Sequence, residues 1–111
     1  MAWFSDDYMR YGANYFLDHY IPKRLEKKIW ARTIFPDIAS MREFAKNDEK
    51  QLRQSKFISS KKFQIHIEII LYGQSKIGLI AYDEELAIII ESQKIFEALK
   101  SFFEVMWEMT Q

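Results

Sequence analysis

The stretch Gln64-Ile-His-Ile-Glu-Ile-Ile-Leu-Tyr-Gly-Gln-Ser-Lys-Ile-Gly-Leu-Ile-Ala-Tyr-Asp-Glu-Glu-Leu-Ala-Ile-Ile-Ile-Glu91 decides the fold class. Its first part, Gln64 to Tyr72, alternates. Ile65, Ile67, Ile69 and Leu71 share one face, and Gln64, His66 and Glu68 share the other. A period of two marks a strand with one covered face, because successive side chains leave a pleated chain on opposite sides. Gly73-Gln74-Ser75 reads as a turn, and Lys76 to Tyr82 as the returning strand of a hairpin. Asp83-Glu84-Glu85 turns the chain once more. Leu86-Ala-Ile-Ile-Ile90 is apolar at odd and even positions alike, which predicts a central strand covered on both faces.

Working outward, Ser92 is placed to cap a last helix, in which Ile95, Phe96, Leu99, Phe102, Phe103, Met106 and Trp107 recur at helical spacing and predict a core-facing stripe. Upstream, Ser5 and Asp6 can cap a first helix carrying Tyr8, Gly12, Tyr15, Phe16 and His19 on one face. Pro22 ends or kinks it, since proline lacks the amide donor. A short helix over Lys23–Lys28, a strand over Ile29–Phe35 and a polar helix over Ser40–Gln54 follow, the last with a weak point at Asn47-Asp48. Ser55–Ile58 reads as a short extended piece. The expected order is α-(α)-β-α-β-β-β-β-α, an α/β (mixed α+β) fold with a central mixed sheet of about five strands and helices packed on it.

The 111 residues fit a single domain, 1–111, large enough for its own core. Sixteen basic residues balance sixteen acidic ones. That balance argues against direct DNA binding, which draws much of its affinity from phosphate neutralisation. The absence of cysteine removes disulfides, thiol nucleophiles and Cys-based zinc sites. No run approaches the roughly 18 apolar residues of a membrane span, and no signal peptide is evident, so the expectation is a cytoplasmic protein. At 16%, the aromatic share is high enough that some rings are expected at an interface; Trp3, Phe4 and Trp107, near the chain ends, are the candidates.

Several segments resemble the C-terminal domain of TrmB-type transcriptional regulators. Ile34-Phe-Pro-Asp-Ile-Ala-Ser-Met-Arg-Glu-Phe-Ala-Lys-Asn-Asp-Glu-Lys-Gln-Leu-Arg53 is similar to that family's strand, Pro-Asp turn and charged helix. Glu68–Ile80 resembles its hairpin, and Ile89-Ile-Glu-Ser92 with Phe103-Glu-Val-Met-Trp107 resembles its close. Tyr20-Ile-Pro-Lys-Arg24 and Lys28-Ile-Trp-Ala-Arg-Thr-Ile34 fit upstream, so the resemblance runs from about Tyr15 to Trp107. It implies a phospholipase D-like half domain that dimerises and senses a small molecule. The implied partners are a second copy or a longer regulator bearing a winged helix. The winged-helix DNA-binding domain itself has no counterpart in the sequence.

The phospholipase D-like superfamily uses a His-x-Lys-x-x-x-x-Asp motif in which His attacks phosphorus and Lys holds the phosphate. Here the matching frame begins at His66, with Glu68 in the Lys position and Gly73 in the Asp position. A carboxylate repels the phosphate that a lysine would hold, so no phosphodiesterase activity is expected; a degenerate phosphodiesterase and a stand-alone interaction module are the alternatives. The plain reading of His66 is a solvated residue on a polar strand face. The sharper one is a relic pocket in which His66, Glu68 and Gln64, with Arg32, bind a small polar ligand. No metal site is expected, since His19 and His66 sit on different elements without a ligand pair at useful spacing, and no cofactor is implied. Lys23, Arg24, Lys27 and Lys28 read as the solvated face of a short helix.

Overall fold

A computed structural model describes residues 1–5 and 21–110. The first expected helix, with Tyr8, Gly12, Tyr15, Phe16 and His19, lies outside the described residues. The remainder is an α/β fold. Strands β1 (Ala2–Trp3), β2 (Ala31–Pro36), β3 (Arg53–Ile58), β4 (Glu68–Tyr72), β5 (Lys76–Ala81) and β6 (Leu86–Glu91) form one sheet, in the order β3-β2-β1-β4-β5-β6. Helices α1 (Ile21–Glu26), α2 (Ala39–Ala45) and α3 (Gln93–Met109) accompany them. The sheet is mixed: β1, β2 and β3 run parallel, and β4, β5 and β6 meander antiparallel from β1.

One strand was missed at the level of sequence. β1 has two residues, too few for any periodicity, yet it joins the two halves of the sheet by pairing Trp3 with Ile34 on one side and Ile69 on the other. This places Trp3 and Phe4 in the core, where Trp3 packs edge-on to Phe103 and Phe4 stacks on Phe35. Both aromatics expected at an interface are therefore consumed inside the chain. Trp107 is half-buried and also engaged internally, stacked on Phe103 and covered by the Lys56 ammonium.

The sheet separates two cores. On one face Ala2, Phe4, Ile21, Phe35, Met41 and Phe44 pack together, so this is the face that α1 and α2 cover. On the other, Trp3, Ile34, Leu71, Ile77, Phe96 and Phe103 form the core beneath α3. The alternation that predicts strands also sorts their side chains between these layers: Ile34 and Phe35 are neighbours in sequence and belong to opposite cores. Ser92 caps α3, its hydroxyl accepting from the Ile95 amide at 3.2 Å.

Three expectations are corrected. The run Leu86–Ile90 is the outermost strand of the sheet instead of a central one, and Leu86, Ile88 and Ile89 are exposed. Helix α2 ends at Ala45, with hydrogen-bonded turns through the Asn47-Asp48 weak point. Arg24 is buried rather than solvated. Its guanidinium donates to the carbonyls of Ile29 at 2.6 Å, Leu52 at 2.9 Å and Gln51, so it ties the end of α1 to the turn before β3. Lys28 and Leu52 both have positive φ, which costs energy for residues with a Cβ, and Arg24 anchors the chain beside each.

Candidate functional site

Parallel strands β1, β2 and β3 all point their carboxyl ends the same way. Because β4 runs against β1, the segment entering β4 arrives at that same end. A cleft of about 190 Å³ opens there. Ser5 follows β1, Pro36 closes β2 and Ile58 closes β3; Gln64, Ile65 and His66 lead into β4 and complete one wall. Ser60 and Lys61, from the loop after β3, add a hydroxyl and a cation at the rim, and Phe4, Ile34 and Phe63 supply apolar floor. The carboxyl ends of parallel strands are a recurrent ligand position in open α/β sheets, where loops diverge and leave a crevice.

Glu68 controls one side of this cleft from below. It is fully buried at the start of β4, and its Oε1 accepts from the Ser5 amide at 3.0 Å and from the Ser5 hydroxyl at 2.9 Å. Together with the Phe4 amide, which donates to the Ile34 carbonyl at 3.1 Å, this contact fixes the chain leaving β1. The face read as polar and solvated is in fact a core face at Glu68, since Ile70 two residues on packs into the core that Phe4 and Phe35 form.

The four residues expected at the ligand site therefore separate. His66 and Gln64 line the cleft, in the segment that bends at His66 before β4 rather than within the strand. Glu68 stands behind the wall and acts through Ser5. Arg32 lies at the opposite end of β2 and does not join them. It forms a two-pronged ion pair with Glu104 of α3, one arm at 3.0 Å, and sits over the rings of Phe103 and Trp107. That hydrogen bond holds the Glu104 carboxyl below its ordinary range. Ser5, Ser60, Lys61 and Phe63 were not foreseen as site residues, because convergence at a sheet end has no local sequence signal.

His66 is exposed and has no ion pair or side-chain hydrogen bond among the described residues. The polar groups at the cleft suit contacts to a hydroxylated or anionic ligand. The volume lies below the roughly 300 Å³ of drug-sized sites and is of the order that accommodates a single small ring or a molecule of sugar size. Among the described residues there is no cluster of three His, Asp or Glu side chains able to hold a metal ion, and no helix long and apolar enough to cross a membrane. Compared with known proteins, the chain matches no family model, no curated protein and no solved structure.

Proposed function

We propose that the chain is a non-catalytic regulatory domain of the TrmB-like kind, built as a phospholipase D-like half, which senses a small polar ligand and works as a dimer in the cytoplasm. Its partners are a second copy or a longer regulator bearing a winged helix. The observation that carries the sensing half is the cleft at the carboxyl ends of β1, β2 and β3, lined by His66, Gln64 and Ser5. Glu68 links that cleft to the core, so a ligand that pulls on Ser5 also acts on the start of β4.

Three features support the absence of catalysis. The Glu68 carboxylate, in the motif position of a phosphate-binding lysine, is buried on Ser5 and is the wrong charge for phosphate. Gly73 stands in the turn between β4 and β5 and brings no carboxylate. His66 alone lacks the partners that orient a phosphodiesterase nucleophile.

Thermal denaturation of the purified chain with simple sugars, sugar phosphates and short dicarboxylates tests the reading. One of these classes is expected to raise the Tm of the wild type and to lose that effect in His66→Ala. No shift with any class removes the sensing half. Hydrolysis of bis(p-nitrophenyl) phosphate that disappears in His66→Ala overturns the non-catalytic half.

A further inference from the structure

Helix α3 carries two apolar stripes, and the sheet uses only one. Phe96, Leu99, Phe103, Met106 and Trp107 pack inward. Ile95, Phe102, Val105 and Met109 do not: they are 45%, 62%, 57% and 80% exposed. With the exposed Ala98 they recur at intervals of three, four, three and four residues, the seam of a helix that packs along another helix. Nothing among the described residues covers this seam.

Its direction follows from the other flank. Glu104 and Trp107 lean toward β2 and β3, where they meet Arg32 and Lys56. The seam is on the opposite flank and overhangs β5 and β6. Ile88 pairs with Leu79 and Ile90 with Ile77, so Leu86 and Ile88 share the sheet face beneath α3 with the half-buried Ile90. The exposed seam and the exposed side chains of β6 thus border one apolar groove.

We infer that this groove is filled by α3 of a second copy of the chain, running antiparallel. Self-complementarity argues for that occupant. The seam is bordered on its polar side by Lys94, Ser101 and Glu108, seven residues apart. Neither Lys94 nor Glu108 has an ion pair among the described residues. A two-fold axis between Lys100 and Ser101 brings Lys94 of each copy within reach of Glu108 of the other, two opposite-charge contacts from one symmetry operation. The same axis sets Phe102 against the small Ala98 and Ile95 against Val105, large side chains meeting small ones as interdigitation requires. A parallel pair would instead set the two rows of Lys94, Ser101 and Glu108 on opposite sides of the seam, so neither opposite-charge contact would form. The inference rests on the dimer half of the proposed function and adds where and how the copies meet.

Sedimentation of the full chain, wild type and Phe102→Glu, reads the outcome. Phe102 is exposed, so the variant is expected to keep its far-ultraviolet circular dichroism while its dimer dissociates. Lys94→Glu and Glu108→Lys are each expected to weaken the dimer roughly tenfold, and the double variant to recover the wild-type affinity. Because the chain has no cysteine, engineered ones report cleanly. Mixed Ile95→Cys and Val105→Cys proteins are expected to form a disulfide between them, and neither alone to cross-link, as like positions lie ~15 Å apart along the antiparallel pair. A wild type that stays monomeric removes both the dimer reading and this surface. A dimer indifferent to Phe102→Glu leaves the reading standing and overturns the α3 surface, pointing to the open edge of β6. Cross-linking of each single-cysteine protein with itself overturns the antiparallel arrangement.

Discussion

At the scale of single residues, two buried ionisable side chains, Glu68 and Arg24, carry most of what is specific to this chain. Glu68 accepts two hydrogen bonds from Ser5 in a site closed to water. Glu68→Ala leaves the Ser5 amide and hydroxyl short of that acceptor, and urea denaturation is expected to show a loss of about 1–3 kcal/mol. Arg24 is held by three backbone carbonyls, and Arg24→Met is expected to cost a similar amount, with the loss read from the same titration. Neither role was legible in the sequence. A glutamate in an alternating strand and an arginine in a lysine-rich helix both read as solvent-facing, because burial here is set by elements distant in sequence. The pair Arg32–Glu104 supplies a pH dependence. Its hydrogen bond lowers the Glu104 pKa beneath the ordinary 4.5, so the folded state holds the charged form more firmly than the unfolded chain does. Stability from the pair is complete above 4.5 and drains as pH falls through the lowered value. Acid titration of Glu104→Gln is expected to show a shallower loss than the wild type, and an identical acid limb would refute the assignment. The pair is partly exposed, so the difference is below about 1 kcal/mol.

At the scale of elements, the strands and the last helix were legible because their signals are local. The β4–β5 hairpin, the β6 run and the Ser92 cap of α3 all follow from spacing. Ser92→Ala is expected to lower stability by about 1 kcal/mol, since the Ile95 amide loses its acceptor. In the turn between β5 and β6, Glu85 is held at φ 52° while exposed to solvent. Glu85→Asn is expected to gain roughly 0.5 kcal/mol, because asparagine tolerates that conformation better. What spacing does not reveal is neighbourhood. Leu86–Ile90 is apolar on both faces whether its cover comes from the same chain or from another, so the pattern fits a central strand and an edge strand awaiting a partner equally well. The last helix misled in the same way: its apolar residues were read as one core stripe, yet Phe102 belongs to a second flank. The cleft residues escaped for a related reason, as Ser5, Pro36, Ile58 and His66 meet only once β1 joins the two halves of the sheet.

At the scale of the whole molecule, the sheet separates two surface features. One end, where β1, β2 and β3 finish, holds a small polar cleft; one side, along β6 and α3, leaves apolar surface uncovered. Strand β4 lies between them, anchored at one end by Glu68 and paired to β5 along its length. On the proposed reading, a ligand that moves Ser5 acts through Glu68 on β4 and its neighbour β5, the coupling a regulatory dimer would require. The single most direct measurement is the sedimentation of the purified chain across a wide dilution series, with and without Phe102→Glu. A wild-type dimer that becomes a folded monomer in the variant is the result expected. A wild type that is monomeric throughout would contradict the pairing of two copies on which the regulatory reading depends.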